Sequence, residues 1–206
     1  MGSSRSSYYS ALKRITKVAN SAFSLRKICN SIAKSTAKAI QANGCHILLL
    51  DPQKEYLVTA GAHGLSDLYL RKGPLDAHKS LPDILEGKVV FIADATKDER
   101  VQYPQAAQAQ GISSVLGVPI LRKGEATGEI RIYTREPRQF SEADKSFLLS
   151  VADICAVIFE KAELHQLLKQ DYEASKTRMK SAQISLLPTN TLRPTSFAHP
   201  SEEDFA

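Results

Sequence analysis

The sequence predicts an α+β fold: a central antiparallel sheet with the terminal helices on one face and a broken middle segment on the other. Three observations lead there. Residues 111–144 contain two apolar, β-branched runs flanking the polar turn Arg122-Lys123-Gly124-Glu125, and a serine opens a helical pattern soon after. A second pair of apolar runs flanks Asp51-Pro52, a turn signal. Helical periodicity occupies both ends of the chain and leaves the middle to glycine, proline and short runs.

Tyr8, Leu12, Ile15, Val18 and Ala22 follow helical spacing. Ser24 can cap a second helix with the stripe Leu25, Ile28, Ile32, Thr36 and Ile40, which Asn43-Gly44 stops. Cys45–Leu50 and Glu55–Ala60 make the first hairpin. Gly61, Gly64 and Gly73-Pro74 then break the chain into loops. Leu81–Leu85 reads as a short helix ended by Gly87, and Lys88–Ile92 as a strand leading to Asp94. Pro104 opens another short helix within the polar segment 98–111. Ser113–Leu121 and Ala126–Thr134 form the second hairpin. Ser141 is a good N-cap, with Asp144 at the capping-box distance, for a long helix predicted over Glu142–Leu186.

That helix carries Phe147, Val151, Ile154, Ile158 and Leu168 on one stripe, and Leu148, Ala152, Cys155, Phe159 and Ala162 on a second. Two apolar sides call for two partners, the sheet and the same helix of a second subunit. Beyond Lys161 a single seam, interrupted by polar residues, continues as a coiled coil. Pro188, Pro194 and Pro200 mark a linker, and Ser201-Glu202-Glu203-Asp204 reads as the start of a further helix. The expected organisation is an N-terminal helix over 1–23, a sheet domain over 24–163, an extended signalling helix over 164–187, and a linker or the start of another domain over 188–206.

The net charge of +5 is uneven: residues 1–50 hold eight Lys and Arg and no acid. A basic half suits nucleic acid or an anionic membrane. The plainer reading is internal, because residues 142–173 carry seven acids against three lysines, and the two helical ends can lie side by side. Nucleic acid is therefore not expected. No run approaches the ~18 apolar residues of a membrane span, and no leader pattern opens the chain. Cys29, Cys45 and Cys155 lie far apart without CxxC and read as free thiols in a reducing cytoplasm. The histidines share no ligand spacing, so no metal is predicted. Phosphate-loop and nucleophile-elbow patterns are missing, and no acid/base pair is legible.

Eight segments in order and spacing resemble a GAF domain, the small sensory module of signalling proteins: AIQANGCHILLLD, GLS, KGPL at Lys72–Leu75, GKVVFIAD, DERVQYP, GISSVLGVPI, GEIRIYT and FSEAD. The resemblance covers about residues 12–165. It implies a profilin-like antiparallel sheet, terminal helices on one face that often form a dimer bundle, and a small-molecule pocket on the other face under a lid. The cyclic-nucleotide branch carries an Asn-Lys pair and Phe-x-x-x-Asp-Glu. Here Phe140 and Asp144 match, Lys145 replaces the Glu, and the Asn-Lys pair is missing, so a cyclic nucleotide is not implied. None of the cysteines matches a bilin-attachment motif. The free methionine sulfoxide reductases of this fold use several cysteines around the pocket, whereas Cys29 and Cys155 fall on predicted helices behind the sheet.

Strand alternation sends Ile130 and Ile132 toward the helices and Glu129, Arg131 and Tyr133 to the opposite face, where the resemblance puts the pocket. An arginine beside a tyrosine suits an anion or a planar polar ligand; the alternative is an Arg131–Glu129 pair on a solvated sheet face. His46 alternates with Leu48 and Leu50 and reads as a core or edge histidine, or as a pocket contact. In the lid, Asp94 is a ligand candidate, Asp98 a helix cap, and Tyr103 a pocket wall or loop anchor. Ser114 offers a hydroxyl to ligand or to the strand edge. The expected function is non-catalytic: a cytoplasmic homodimeric sensor that binds a small molecule or partner, closes the 61–111 segment over the sheet and signals through the long helix to an output domain. A redox enzyme of the free methionine sulfoxide reductase type, with Cys45 in play, and a ligand-free dimerisation module are the alternatives.

Overall fold

Antiparallel pairing joins six strands into one sheet in the computed structural model, which describes residues 2–80 and 82–185, with side chains from 6 to 179. The elements are α1 (Gly2–Ala19), α2 (Leu25–Ile40), β1 (Gly44–Leu50), β2 (Tyr56–His63), α3 (Asp67–Leu70), β3 (Leu75–Asp76), α4 (Pro82–Leu85), β4 (Val90–Ile92), α5 (Pro104–Gln110), β5 (Ser114–Arg122), β6 (Glu125–Thr134) and α6 (Glu142–Ser185). The strand order is β3-β2-β1-β6-β5-β4. The two predicted hairpins therefore meet at β1 and β6, where Ile47 pairs with Ile130 and His46 with Arg131. The chain divides into a body, Met1–Glu163, and a second unit, Leu164–Ala206. The expectations for Leu81, for Leu186 and for the segment 188–206 lie outside the described residues.

The two-residue strand period sorts the core. Cys45 and Ile47 of β1, Leu116, Val118 and Ile120 of β5, and Ile130 and Ile132 of β6 all pack on the helices. Against them lie Ala11 and Ile15 of α1, Ile28, Ile32 and Ile40 of α2, and Phe147, Leu148, Val151, Ala152, Cys155 and Ile158 of α6. Both predicted stripes of α6 thus enter the same core. Phe147, Val151 and Ile158, expected on the seam toward a second subunit, are buried within the chain, and Phe147 stacks on Tyr8 of α1 at 4.5 Å. Ile154 is half-buried, and Val157, Leu164 and Leu168 are exposed. A further neighbour meets the start of α6: Tyr8 of α1 packs on Phe147 and bonds Asp144. Among the described residues no ion pair joins the basic α1 and α2 to α6, so the expected charge pairing gives way to apolar packing and one hydrogen bond, Tyr8 Oη to Asp144 Oδ1 at 2.6 Å.

Local chemistry corrects several boundaries. Gln41 ends α2 in the left-handed conformation, φ 59°, ahead of Asn43-Gly44. β2 runs through Gly61 to His63 because glycine lets α2 cross the strand closely: a Cβ there would stand 2.5 Å from Cys29 Cβ. Asn30 Oδ1 accepts from Ala62 N–H and so caps that outer edge. The second hairpin turns at Lys123-Gly124, both with positive φ. α3 and β3 carry no readable sequence period and were not expected. Ser141 and Asp144 form a reciprocal cap: Ser141 N–H donates to Asp144 Oδ2 (2.8 Å), and Asp144 N–H donates to Ser141 Oγ (3.2 Å).

Candidate functional site

Turning β6 over its two-residue period puts Glu129, Arg131 and Tyr133 beneath the middle segment, at 0%, 7% and 3% exposure. Neither a solvated face nor an open pocket results: these side chains are buried under residues of the segment between β2 and β5. His46 pairs with Arg131 across β1, and Val115 with Tyr133 across β5, so three strands supply one floor. The lid adds Tyr69, Lys72, Ser80, Arg100 and Tyr103, with Ile92 and Ile112 as apolar walls.

Between floor and lid lies a cavity of about 20 Å³, room for about one water. A second, of about 10 Å³, is lined by Leu50, Leu57, Ala77, Ile84 and Glu129. Ser80 belongs to both linings.

Arg131 dominates the electrostatics. Nε donates to Glu129 Oε1 at 2.8 Å, Nη2 bonds the same oxygen, and Nη2 also donates to Ser80 O (3.3 Å) and Ser80 Oγ (3.1 Å). Nη1 makes no hydrogen bond among the described residues, although the arginine lines the larger cavity. Burial opposes the guanidinium charge, but Glu129 holds it protonated above its ordinary value. Burial raises Glu129 against the pull of Arg131. Glu129 Oε2 is buried without a partner, as is His46 Nδ1. His46 Nε2 shares a hydrogen with Thr59 Oγ1 at 2.8 Å; burial, with Lys72 and Arg131 nearby, lowers the imidazole to about 3 and keeps it neutral. Lys72 is lowered to about 8 by burial and by Arg131; its Nζ donates to Tyr69 O at 3.2 Å and lies 3.9 Å over the Tyr69 ring. Tyr69 meets Tyr133 edge-on at 5.9 Å, and burial raises both phenols. The result is a small, enclosed, cationic and aromatic site suited to holding an anion.

Of the sequence candidates, Arg131, Tyr133 and Tyr103 share the larger cavity, Glu129 lines the smaller, and His46 sits beside Arg131 on the floor. Tyr103 is wall and anchor at once, since its hydroxyl donates to Pro74 O at 2.7 Å. Ser114 lies elsewhere. It shares the strand face of Leu116 and Val118, toward the helices, and its Oγ donates to Ala93 O at 2.9 Å. Asp94 also leaves the site: half-buried and outside both cavity linings, it accepts from Thr96 N–H and Oγ and pairs with Lys97 at 3.3 Å. Asp98 caps no helix and instead binds Arg100, with Nη2 to Oδ2 at 2.6 Å. Tyr69, Lys72 and Ser80 follow no period, and Tyr69 and Ser80 carry no sequence signal for the site, whereas Arg100 falls in the segment expected to lid the pocket. Lys72 was within reach, as the only base of the KGPL segment.

The three thiols sit on the far side of the sheet, in the helix-face core. Burial raises Cys29 to about 12 and pushes Cys45 and Cys155 up as well, so none is a ready thiolate. Among the described residues no cluster of three or more His, Cys, Asp or Glu could hold a metal ion, and no helix is long and apolar enough to cross a membrane.

The GAF domain family model matches residues 24–160, more than half of the chain. A phosphoenolpyruvate-dependent phosphotransferase system protein of Escherichia coli K12 is 24% identical over 169 residues, 81% of this chain and 22% of its own length, so the chain spans about a fifth of that relative. The GAF domain of a phosphoenolpyruvate-protein phosphotransferase from Coxiella burnetii superposes with a TM-score of 0.68 at 21% identity, over 78% of this chain and 96% of that one. The free methionine-R-sulfoxide reductase of Neisseria meningitidis, solved with its substrate, superposes with a TM-score of 0.63 at 18% identity, over 77% and 91%. At these identities the two structures carry the fold alone.

Proposed function

The chain belongs to the GAF domain family, and we propose that it is a non-catalytic sensory module that binds a small anion between lid and sheet and passes the change to α6. The observation that carries this reading is the buried Arg131, which lines a cavity together with Lys72 and whose Nη1 makes no hydrogen bond among the described residues. Charge-assisted bonds to a planar anion fit a guanidinium, and the rings of Tyr69, Tyr103 and Tyr133 offer stacking surface. With room for about one water, the closed form excludes a larger ligand, so binding selects a state in which the lid has opened.

A continuous set of bonds supports transmission. Ser114 Oγ, bonded to Ala93 of the lid, accepts from Arg138 N–H; Arg138 Nη1 donates to Ile40 O of α2, and Nη2 to Asp144 Oδ1 at the start of α6. Lid movement that displaces Ala93 therefore pulls on the joint of α2, α1 and α6. The output is a cytoplasmic homodimer, paired through exposed Val157, Leu164 and Leu168 rather than through the buried stripe, and a domain beyond the linker; regulation of a phosphotransfer enzyme is the setting the Escherichia coli relative suggests. The redox alternative loses its chemistry, because the cysteines lie on the face away from the cavity.

The test is thermal melting of the full 206-residue chain with small carboxylates, inorganic phosphate and their neutral amide or ester counterparts. Anions are expected to raise Tm, and Arg131→Lys, which keeps the charge but not the fork, to remove most of the rise. A rise from neutral compounds alone would reject the reading. The small cavity favours one other reading, a ligand-free dimerisation module, which a dimer in native mass spectrometry and no melting response would support.

A further inference from the structure

Ser80 stands where a ligand would. Its carbonyl and hydroxyl oxygens both accept from Arg131 Nη2, so neutral acceptors occupy a guanidinium nitrogen that a carboxylate oxygen would bond more strongly. Glu129, in turn, uses a single oxygen on Arg131. A carboxylate facing a guanidinium ordinarily engages both, yet Oε2 here is buried and has no partner among the described residues, and Glu129 lines the second cavity. Because Ser80 is shared by the two linings, its withdrawal would join them into one site floored by Arg131 and Glu129.

We propose that this site takes a small α-amino or α-hydroxy carboxylate, whose carboxylate replaces Ser80 on Arg131 and whose neighbouring ammonium or hydroxyl donates to Glu129 Oε2. The inference rests on reading the lid-side cavity as the ligand site. Spacing argues for the α position: the cation and the anion of the protein already touch, so their complements must sit on adjacent carbons. The orphan oxygen argues for a donor. A 2-oxo acid would turn an acceptor toward Glu129, and a phosphate would bring extra negative charge beside it; both leave Oε2 unpaired. Ser80 acts as an internal competitor, so the apparent affinity of the resting protein is lower than that of the opened site.

The experiment is calorimetry on the full chain with matched α-amino, α-hydroxy and 2-oxo acids sharing one side chain, and with inorganic phosphate. An amino or hydroxy member is expected to bind at least about tenfold more tightly than its 2-oxo counterpart, the worth of one good hydrogen bond. Ser80→Gly should tighten that binding about fivefold by removing one competing acceptor. Glu129→Gln should cut the discrimination about tenfold, because an amide can donate to the oxo group. If that variant fails to fold, the ligand series and Ser80→Gly still decide. Equal or tighter binding of 2-oxo acids, or of phosphate alone, overturns the ligand class and leaves the anion-sensing reading intact. Unchanged or weaker binding by Ser80→Gly overturns the displacement. No binding of any anion overturns both.

Discussion

The two faces of the sheet are made by the same strands and obey different rules. The sheet's helix face is Ile, Val, Leu and Cys, and the deeply buried hydroxyls there are paired: Thr36 donates to Ile32 O within its own helix and Ser114 to Ala93 O. Among the described residues, no buried side-chain nitrogen or oxygen on that face lacks a partner. One residue along β6 from Ile130 and Ile132, the lid face buries Arg131 and Glu129, leaves Glu129 Oε2 and His46 Nδ1 without partners among the described residues, and encloses the two cavities. Buried charge and orphan polar atoms cost stability that an apolar side chain would not. The helix face holds the fold; the lid face gives up stability, and the proposed anion site rests on that asymmetry.

The largest effect should come from breaking the lid-face pair. Arg131→Met leaves Glu129 buried and unpaired and is expected to cost about 3–5 kcal/mol in denaturant unfolding. Arg131→Met with Glu129→Leu removes both charges and should return to within about 1 kcal/mol of the parent or exceed it, while the anion-induced rise in Tm disappears. A parent-like single variant would erase the contrast between the faces.

Legibility in the sequence follows the same divide. Strands and long helices repeat, so Ile130 and Ile132 were assigned to the helices, and Arg131 and Tyr133 to the other face, from alternation alone. Ser114 escaped because its alternation was not followed from Leu116 and Val118, which send it to the helix face. The lid has no period: α3 and β3 are four and two residues long, and Tyr69, Lys72 and Ser80 reach the site through tertiary packing alone. Phe147 and Val151 were read as a subunit seam because a sequence gives two apolar stripes but not which neighbour covers each; α1 does.

A smaller effect separates the two regions by the sign of their pH dependence. At the helix joint, burial would raise Asp144, but hydrogen bonds from Tyr8 and Ser141, with Arg138 close by, hold it below 3.8. A depressed carboxylate stabilises the fold above its unfolded pKa, and the contribution fades as pH falls through the folded value. Asp144→Asn should therefore cost about 1–2 kcal/mol at pH 7, the gap from the parent closing below 3.8. Glu129 is raised by burial, so its contribution is present below the unfolded value of 4.5 and declines as pH rises through the folded one. The stability of Glu129→Gln relative to the parent should accordingly improve with rising pH, the reverse of Asp144→Asn. Parallel slopes for the two variants in pH-dependent unfolding would remove the distinction.

The smallest effect isolates burial from charge. Lys54 and Glu125 tie together the tips of the two hairpins at 3.1 Å, with side chains 63% and 74% exposed. Both this pair and Arg131–Glu129 join a base to a glutamate, yet water already solvates Lys54 and Glu125 and screens their attraction. Removing Lys54 strands no charge in a dry site, because Glu125 regains solvent at once. Lys54→Ala is therefore expected to change unfolding free energy by about 0–1 kcal/mol, and by less still at high salt, against the several kcal/mol of Arg131→Met. A large, salt-resistant loss at Lys54 would mean that ion pairing itself, rather than the dryness of the lid face, sets the cost at Arg131.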